Sequence, residues 1–217
     1  MQMLMAVYVF RGGMSLKGKN IRSYMILKRV LDIIFGITLS LFLAAPMALI
    51  WLAVAMTSRG GGIFSQVRIG KDGKKFICYK FRTMRKDTPV CSAKEMTEQG
   101  GAERYITPIG RFLRRTSLDE LPQLWNVIKG DMSLVGPRPL IADEREVHRA
   151  RERSGVYSVR PGITGLAQVK GRNSLSDERK VELDTQYLNE LGFIQDVRIL
   201  GLTALGVISR KDIDVNS

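Results

Sequence analysis

The chain has 217 residues, with 34 lysines and arginines against 21 aspartates and glutamates, which gives a formal net charge of +13. Its hydrophobic share of 45% excludes wholesale disorder, and its length suits one domain with or without an anchor. A single histidine and two cysteines exclude a multi-histidine zinc site and a disulfide scaffold. The positive charge indicates an anionic partner: nucleic acid, an acidic membrane surface or phosphorylated substrates.

A long apolar segment lies near the start of the chain. Residues 33–58 carry no charge, and as one helix they would extend about 39 Å, enough to cross a hydrocarbon core of about 30 Å. Pro46 lies at the midpoint, where it removes a backbone hydrogen bond and clashes with the preceding turn. Both flanks are rich in lysine and arginine, whereas a spanning helix should show this excess on its cytoplasmic side only.

We therefore predict a re-entrant membrane hairpin over 25–59, which bends at Pro46 and returns to the side from which it entered. A spanning helix that contains a proline is the alternative. Both basic flanks of a re-entrant hairpin would meet anionic lipid headgroups. Residues 1–24 are then an N-terminal extension, and residues 60–217 form a cytoplasmic domain.

The sequence at the start of that domain predicts a β-hairpin over 63–83. Apolar and aromatic residues alternate on either side of Asp72-Gly73, a pair typical of tight hairpin turns. The following stretch, 86–104, is polar and rich in small residues. It predicts a surface loop, either a mobile lid or a plain linker.

The rest of the domain is predicted to be mostly helical. A helical pattern of apolar residues occupies 107–130, and a polar helix is expected at 176–191. The last apolar stretch, 193–208, is amphipathic and predicts a helix that lies at the membrane interface. The expected fold class is α+β, mostly helical, with a helix-break-helix membrane element.

An acidic pair, Asp119-Glu120, lies within a segment dense in basic and special backbone residues. Ser117 and Glu120 have the spacing of a capping box. Asp119 as the cap itself, with Pro122 in the first helical turn, is equally consistent. Either arrangement places the pair at the positive end of a helix dipole. Two acids that merely cap a helix are the simplest interpretation of the pair taken alone.

Arginines on proline- and glycine-rich loops surround this pair in the sequence. Arg138 stands between two prolines, RPGITG repeats the pattern at 160–165, and Arg172 ends a VKGR stretch. Rigid loops that present arginines suit phosphate binding, because guanidinium groups make bidentate contacts with phosphate oxygens. A neighbouring carboxylate pair is able to hold a divalent ion and to attack a phosphoryl group. These residues predict a membrane-attached enzyme that handles phosphates.

Four motifs make a more specific resemblance. They are QVRIG (66–70), KFRTM (80–84), TSLDELPQLWNVIKGDMSLVGPRPL (116–140) and RPGITGLAQVKGRN (160–173). With the basic-flanked apolar segment, they closely resemble the monotopic phosphoglycosyl transferases among the bacterial sugar transferases. The resemblance covers residues 25–212, nearly the whole chain.

The resemblance implies transfer of a sugar 1-phosphate from a UDP-sugar to polyprenyl phosphate, usually undecaprenyl phosphate, with release of UMP. This is the first membrane step of surface polysaccharide or glycoconjugate assembly, at the cytoplasmic face of the bacterial inner membrane. By similarity, Asp119 is the nucleophile that forms a covalent phosphosugar intermediate, and Glu120 helps to hold Mg²⁺. Lys80, Arg115 and Arg138 match basic positions near phosphate.

Two further residues are assigned to the site by the resemblance: Arg172 as a nucleotide or phosphate ligand, and Asp196 as an acidic position associated with the site. Two alternatives stay open. One is direct transfer within a ternary complex, without an aspartyl intermediate. The other is a membrane-tethered nucleic-acid-binding or scaffold protein, against which the scattered basic residues, 7% aromatics and absence of a reader motif argue. Neither the sugar nor the oligomeric state is encoded in a readable pattern.

Overall fold

The structure is a computed structural model that describes residues 14–58, 60–89, 101–171 and 175–209. This part of the chain is α+β and mostly helical, with two small two-stranded sheets. The fold class predicted from the sequence is confirmed at that level.

Two helices form a bent pair at the start of the described chain. Helix α1 spans Met14–Phe42 and helix α2 spans Ala44–Thr57, with an angle of 64° between them. The break lies at Leu43, three residues before Pro46, because Pro46 cannot donate to the carbonyl of residue 42 and is tolerated only in the first turn of α2. Helix α1 also continues without interruption through the boundary predicted between residues 24 and 25.

Among the described residues, no helix by itself has the length and apolar character needed to cross a bilayer. The two helices of the bent pair, taken together, meet both requirements on length and composition. Large apolar side chains are exposed along both helices, including Phe42 at 80% and Leu49 at 69%. Phe112, Trp125 and Ile194 are exposed on later helices. Apolar exposure on this scale marks an interaction surface.

The predicted β-hairpin is confirmed. Strand β1 (Ile63–Ile69) pairs antiparallel with β2 (Lys75–Phe81). Asp72 and Gly73 have φ values of 56° and 69°, the left-handed conformation that a two-residue hairpin turn requires.

One face of the hairpin packs against the body of the domain. Side chains alternate across a strand, so Phe76, Cys78 and Lys80 of β2 share that face. Phe76 and Cys78 are buried against Val127 and Met132. This packing points Lys80 towards the interior of the domain.

The helical pattern over 107–130 is divided in two. Helix α3 (Pro108–Thr116) ends at Ser117, which has a left-handed conformation with φ 55° and ψ 16°. A 3₁₀ turn at Leu118–Glu120 follows, and helix α4 (Gln123–Lys129) begins after Pro122. Neither predicted cap is present, because no side-chain capping bond forms at Ser117 or at the start of α4.

The remaining elements complete the domain. Strand β3 (Ser133–Val135) pairs parallel with β4 (Gly162–Thr164). The remaining described α-helices are α5 (Arg145–Arg153), α6 (Leu166–Lys170), α7 (Asp177–Asn189) and α8 (Phe193–Ser209). The predicted helices at 176–191 and 193–208 are confirmed as α7 and α8, and their buried faces meet in one core cluster that includes Leu183, Tyr187 and Ile199.

Charged residues of α1 attach the bent pair to the domain. Arg29 donates to the carbonyls of Val127 and Ile128 at 2.6 and 2.9 Å, which satisfies carbonyl groups at the end of α4. Asp32, which is buried, accepts from the Ser133 hydroxyl and the Leu134 amide at 3.1 and 3.0 Å. These bonds connect α1 to α4 and to β3.

A buried ion pair connects α5 with α7. Arg151 Nη2 lies 2.5 Å from Asp184 Oδ2, and the two side chains are 3% and 1% exposed. Because a charge left buried without its partner is costly, Asp184→Ala should lower the free energy of unfolding by about 3–5 kcal/mol. Replacing both residues with apolar ones, Arg151→Met and Asp184→Leu, should recover most of this loss.

Thermal and denaturant unfolding of the purified protein would measure these effects. Asp177→Ala is the matched control, because Asp177 lies on the same helix and pairs with Lys180 at the surface. That substitution should cost about 0–1 kcal/mol. Equal losses for Asp177→Ala and Asp184→Ala would contradict the prediction.

Candidate active site

The acidic pair lies in the 3₁₀ turn between α3 and α4. Asp119 is buried, at 9% exposure. On either side of the pair, Leu118 and Leu121 pack against the apolar cluster that contains Val54 of α2. The turn is therefore held against the second helix of the bent pair, and the left-handed Ser117 directs the chain into it.

Glu120 forms ion pairs with two cationic side chains. Lys80 Nζ lies 2.7 Å from Glu120 Oε1, and Arg138 Nη1 lies 3.4 Å from the same oxygen. Lys80 comes from the inward face of β2, and Arg138 comes from the loop that follows β3. The structure thus brings together four of the residues predicted for the site: Lys80, Asp119, Glu120 and Arg138.

Backbone packing holds Arg138 in place. Gly162 donates to the carbonyl of Pro137 at 2.9 Å, and a Cβ atom on Gly162 would lie 2.1 Å from the Gly136 nitrogen. The two proline- and glycine-rich loops therefore approach so closely that only glycine fits. From the other side, Arg151 Nη1 donates to the Arg138 carbonyl at 2.8 Å.

Burial raises the pKa of the Asp119 carboxyl above its ordinary value, and the neighbouring Glu120 carboxylate adds to this effect. Lys80, Arg114 and Arg138 act in the opposite direction, because their positive charges favour the ionised carboxylate. Asp119 is thus a desolvated carboxyl group surrounded by cations, an arrangement common at catalytic positions.

Arg114 is directed inward, whereas Arg115, which the resemblance assigns near phosphate, lies on another face of α3. Arg114 donates to the Thr83 hydroxyl at 3.1 Å and to the Met84 sulfur at 3.3 Å, and burial lowers its pKa. Arg115 is exposed. Successive helical residues point about 100° apart, so adjacent arginines on α3 necessarily face different surroundings.

Two adjoining cavities share Arg138 and Ile163, and Glu120 lines the second of them. The first has room for about one water molecule, and the cations Arg68, Lys80 and Arg138 contribute to its wall. The second is larger, with a volume of about 70 Å³. Besides Glu120, Arg138 and Ile163, its wall consists of neutral polar residues, namely Ser117, Thr164, Gln168 and Thr203. The wall of the first cavity therefore includes three cationic side chains, whereas the wall of the second is largely neutral and polar.

Asp196 lies in a different polar network. Its carboxylate accepts hydrogen bonds from Tyr24 at 2.5 Å and from Tyr187 at 2.8 Å, and it forms an ion pair with Lys28. These partners place it where α8 meets α1 and α7. Arg172 lies outside the described residues, as do residues 90–100 of the loop predicted over 86–104.

Within the described ranges, no group of three or more histidine, cysteine, aspartate or glutamate side chains is placed to hold a metal ion. The acidic pair itself offers two adjacent carboxylates. Mg²⁺ is usually bound in this way, by one or two carboxylates together with substrate phosphates and water. The residues present therefore fit a magnesium ion that arrives with a phosphorylated substrate.

The profile of one protein family, described as bacterial sugar transferase, matches residues 23–210. The chain is 41% identical, over 87% of its length, to the undecaprenyl-phosphate galactose phosphotransferase of Salmonella typhimurium. It is 39% identical, over 82% of its length, to the UDP-glucose:undecaprenyl-phosphate glucose-1-phosphate transferase of Escherichia coli. The aligned region spans only 42% and 39% of these two relatives.

A shorter relative matches along nearly its whole length. The uncharacterized sugar transferase EpsL of Bacillus subtilis is 42% identical, and the alignment covers 87% of this chain and 91% of EpsL. EpsL therefore consists almost entirely of the region that this chain shares with the longer relatives.

The raised pKa of Asp119 predicts a pH-dependent stability. Between the ordinary aspartate pKa of about 3.9 and the raised value, the folded state binds more protons than the unfolded state, so the free energy of unfolding falls as pH rises. Asp119→Asn removes this titration. The variant should therefore become more stable relative to the wild type as pH rises through that window.

Thermal unfolding of both proteins from about pH 4 to about pH 8 would reveal the trend. Asp143→Asn, at an exposed position, is the control for removing one negative charge. A stability difference between wild type and Asp119→Asn that stays constant across this range would contradict the prediction.

Proposed function

Because the chain belongs to the bacterial sugar transferase family, we propose that it transfers a sugar 1-phosphate from a UDP-sugar to polyprenyl phosphate and releases UMP. The observation that carries this proposal is the buried Asp119 beside Glu120, with Lys80, Arg114 and Arg138 around the pair. The names of the Salmonella and Escherichia coli relatives specify undecaprenyl phosphate as the lipid. The product would be a polyprenyl diphosphate-linked sugar that starts a surface polysaccharide or glycoconjugate.

We assign Asp119 as the nucleophile. A carboxylate oxygen of Asp119 attacks the β-phosphorus of the UDP-sugar, and the bond from that phosphorus to the bridging oxygen breaks. The electron pair of that bond leaves with UMP, and the sugar phosphate remains on Asp119. An oxygen of polyprenyl phosphate then attacks the same phosphorus, which forms the lipid-linked diphosphate and regenerates the carboxylate.

The cations have two tasks in this mechanism. They favour the ionised form of the buried Asp119, which a nucleophilic carboxylate requires, because their charges oppose the effect of burial on its pKa. We propose that Lys80 and Arg138, which contact Glu120, also stabilise the negative charge that collects on the phosphoryl oxygens during transfer. We propose that Glu120 helps to hold Mg²⁺, which would supply further neutralisation of the diphosphate when bound.

We propose that the bent pair α1–α2 is a re-entrant element in the bacterial inner membrane, with the domain on the cytoplasmic face. The 64° bend, the exposed apolar side chains and the basic residues on both flanks support this arrangement. The exposed apolar side chains of α8 support its placement at the interface. A lipid substrate with its phosphate at the headgroup plane then reaches the acidic pair without crossing the bilayer.

Donor-only incubation tests the covalent mechanism. Wild-type enzyme mixed with Mg²⁺ and its UDP-sugar, without polyprenyl phosphate, should gain the mass of one sugar phosphate on Asp119 and release one equivalent of UMP. Asp119→Asn should show neither the adduct nor turnover. Intact-protein mass spectrometry measures the adduct, and a panel of UDP-sugars in the same assay identifies the donor.

Asp143→Asn is the control and should form the adduct as the wild type does. Turnover by the wild type with no adduct in donor-only samples would favour direct transfer in a ternary complex. Substantial turnover by Asp119→Asn would contradict the nucleophile assignment.

Labelling of single cysteines tests the topology. Cysteines placed at Arg22 and Ser58, on either side of the bent pair, should both react with an impermeant thiol reagent only when it has access to the cytoplasmic face. The test requires a background in which Cys78 and Cys91 are replaced. Labelling of the two positions from opposite faces would show that the segment spans the membrane.

A further inference from the structure

Arg68 lies on the same face of the β-hairpin as Lys80. In the antiparallel register, Arg68 is opposite Phe76, and Gln66 is opposite Cys78, so all of these side chains are directed towards the body of the domain. Arg68 contributes to the wall of the first cavity together with Lys80 and Arg138. The two transfer steps proposed for Asp119 assign no role to Arg68.

The hydrogen bonds of Arg68 go to neutral groups. Nη2 donates to the side-chain oxygen of Gln66 at 2.6 Å, and Nη1 donates to the carbonyl of Pro139 at 3.2 Å. Both acceptors are neutral. In the part of the chain that the structure describes, no carboxylate oxygen lies within 4.0 Å of its guanidinium.

The surroundings of Arg68 disfavour its positive charge. Burial, followed by the nearby charge of Arg138, lowers its pKa to about 10. Lys80 adds a third cation at the same cavity, and Glu120 is the carboxylate shared by Lys80 and Arg138. Glu144 is a further negative charge near Arg68. The three cations still outnumber these two carboxylates, so the local excess of positive charge favours an anion beside them.

The contacts of these side chains indicate which anion. Lys80 and Arg138 both contact Glu120, the residue next to Asp119, and they share the wall of the first cavity with Arg68. Arg68 itself contacts Gln66 and Pro139 instead of Glu120. A diphosphate with its β-phosphorus at Asp119 therefore has a further cationic side chain available for its α-phosphate.

We propose that Arg68 binds the phosphoryl group that leaves with the nucleotide, which is the α-phosphate of the donor and the phosphate of UMP. The inference rests on the proposed function. The transferred phosphoryl group lies among Asp119, Lys80 and Arg138, and the departing phosphate stays on Arg68 as the bond between the two phosphoryl groups breaks. Arg68 thereby stabilises the charge that the leaving group gains.

Calorimetric titration of UMP into the full-length protein in lipid nanodiscs tests this assignment without requiring turnover. Arg68→Gln should weaken UMP binding about tenfold or more, because a charge-assisted pair is lost. Uridine, which has no phosphate, should bind wild type and variant alike. Arg68→Lys keeps a positive charge and should bind UMP with intermediate affinity.

Arg85→Gln is the matched control, because Arg85 follows the same hairpin but is exposed and pairs with Asp87. It should bind UMP as the wild type does. UMP binding by Arg68→Gln at wild-type strength would overturn the proposal. An equal loss of uridine and UMP binding would also overturn it, since Arg68 would then act only by supporting the Pro139 loop.

Kinetic constants separate this inference from the proposed function. Arg68→Gln should lower kcat/KM for the UDP-sugar and leave kcat/KM for polyprenyl phosphate unchanged, because only the first half-reaction loses an interaction. If Arg68→Gln fails to fold, Arg68→Lys carries the test alone. Wild-type turnover of UDP-sugar combined with UMP binding that is independent of Arg68 would overturn the inference and leave the proposed function intact.

Discussion

The structure depends on one electrostatic constraint: a carboxyl group is buried directly beside a second carboxylate. Such a pair is unfavourable unless positive charges surround it. The required cations come from three separate parts of the chain, since Lys80 belongs to β2, Arg114 to α3 and Arg138 to the loop after β3. The hairpin, the helices and the proline- and glycine-rich loops are arranged so that these side chains converge on Asp119 and Glu120.

The backbone around the pair is irregular. The left-handed Ser117 ends α3 early, and the 3₁₀ turn places Asp119 in the interior while Glu120 meets Lys80 and Arg138. A left-handed conformation at a residue other than glycine is unfavourable and occurs mainly where the surrounding structure requires it.

Regular elements with a strong local signal were predictable from the sequence. Alternation and an Asp-Gly turn predicted the β-hairpin, and amphipathic patterns predicted α7 and α8. The break at Ser117 was not predictable, because serine carries no local preference for that conformation. Whether Arg114 or Arg115 faces inward depends on the rotation of α3, which a single apolar pattern does not determine. The resemblance associates Asp196 with the site, but its long-range partners Tyr24 and Lys28, which belong to a helix distant in sequence, were not predictable from a local pattern.

Helix α1 connects the bend at Leu43 to the domain as one continuous rod. The contacts of Arg29 and Asp32 with the domain fix the rotation of α1 about its own axis. The bend at Leu43 lies about 16 Å beyond Asp32, at 1.5 Å per residue. The number of residues between Asp32 and Leu43 therefore sets both the distance from Asp32 to the bend and the direction in which α2 leaves α1. Inserting a single residue there would swing α2 by about 100° around the axis of α1 and pull it away from Leu118 and Leu121.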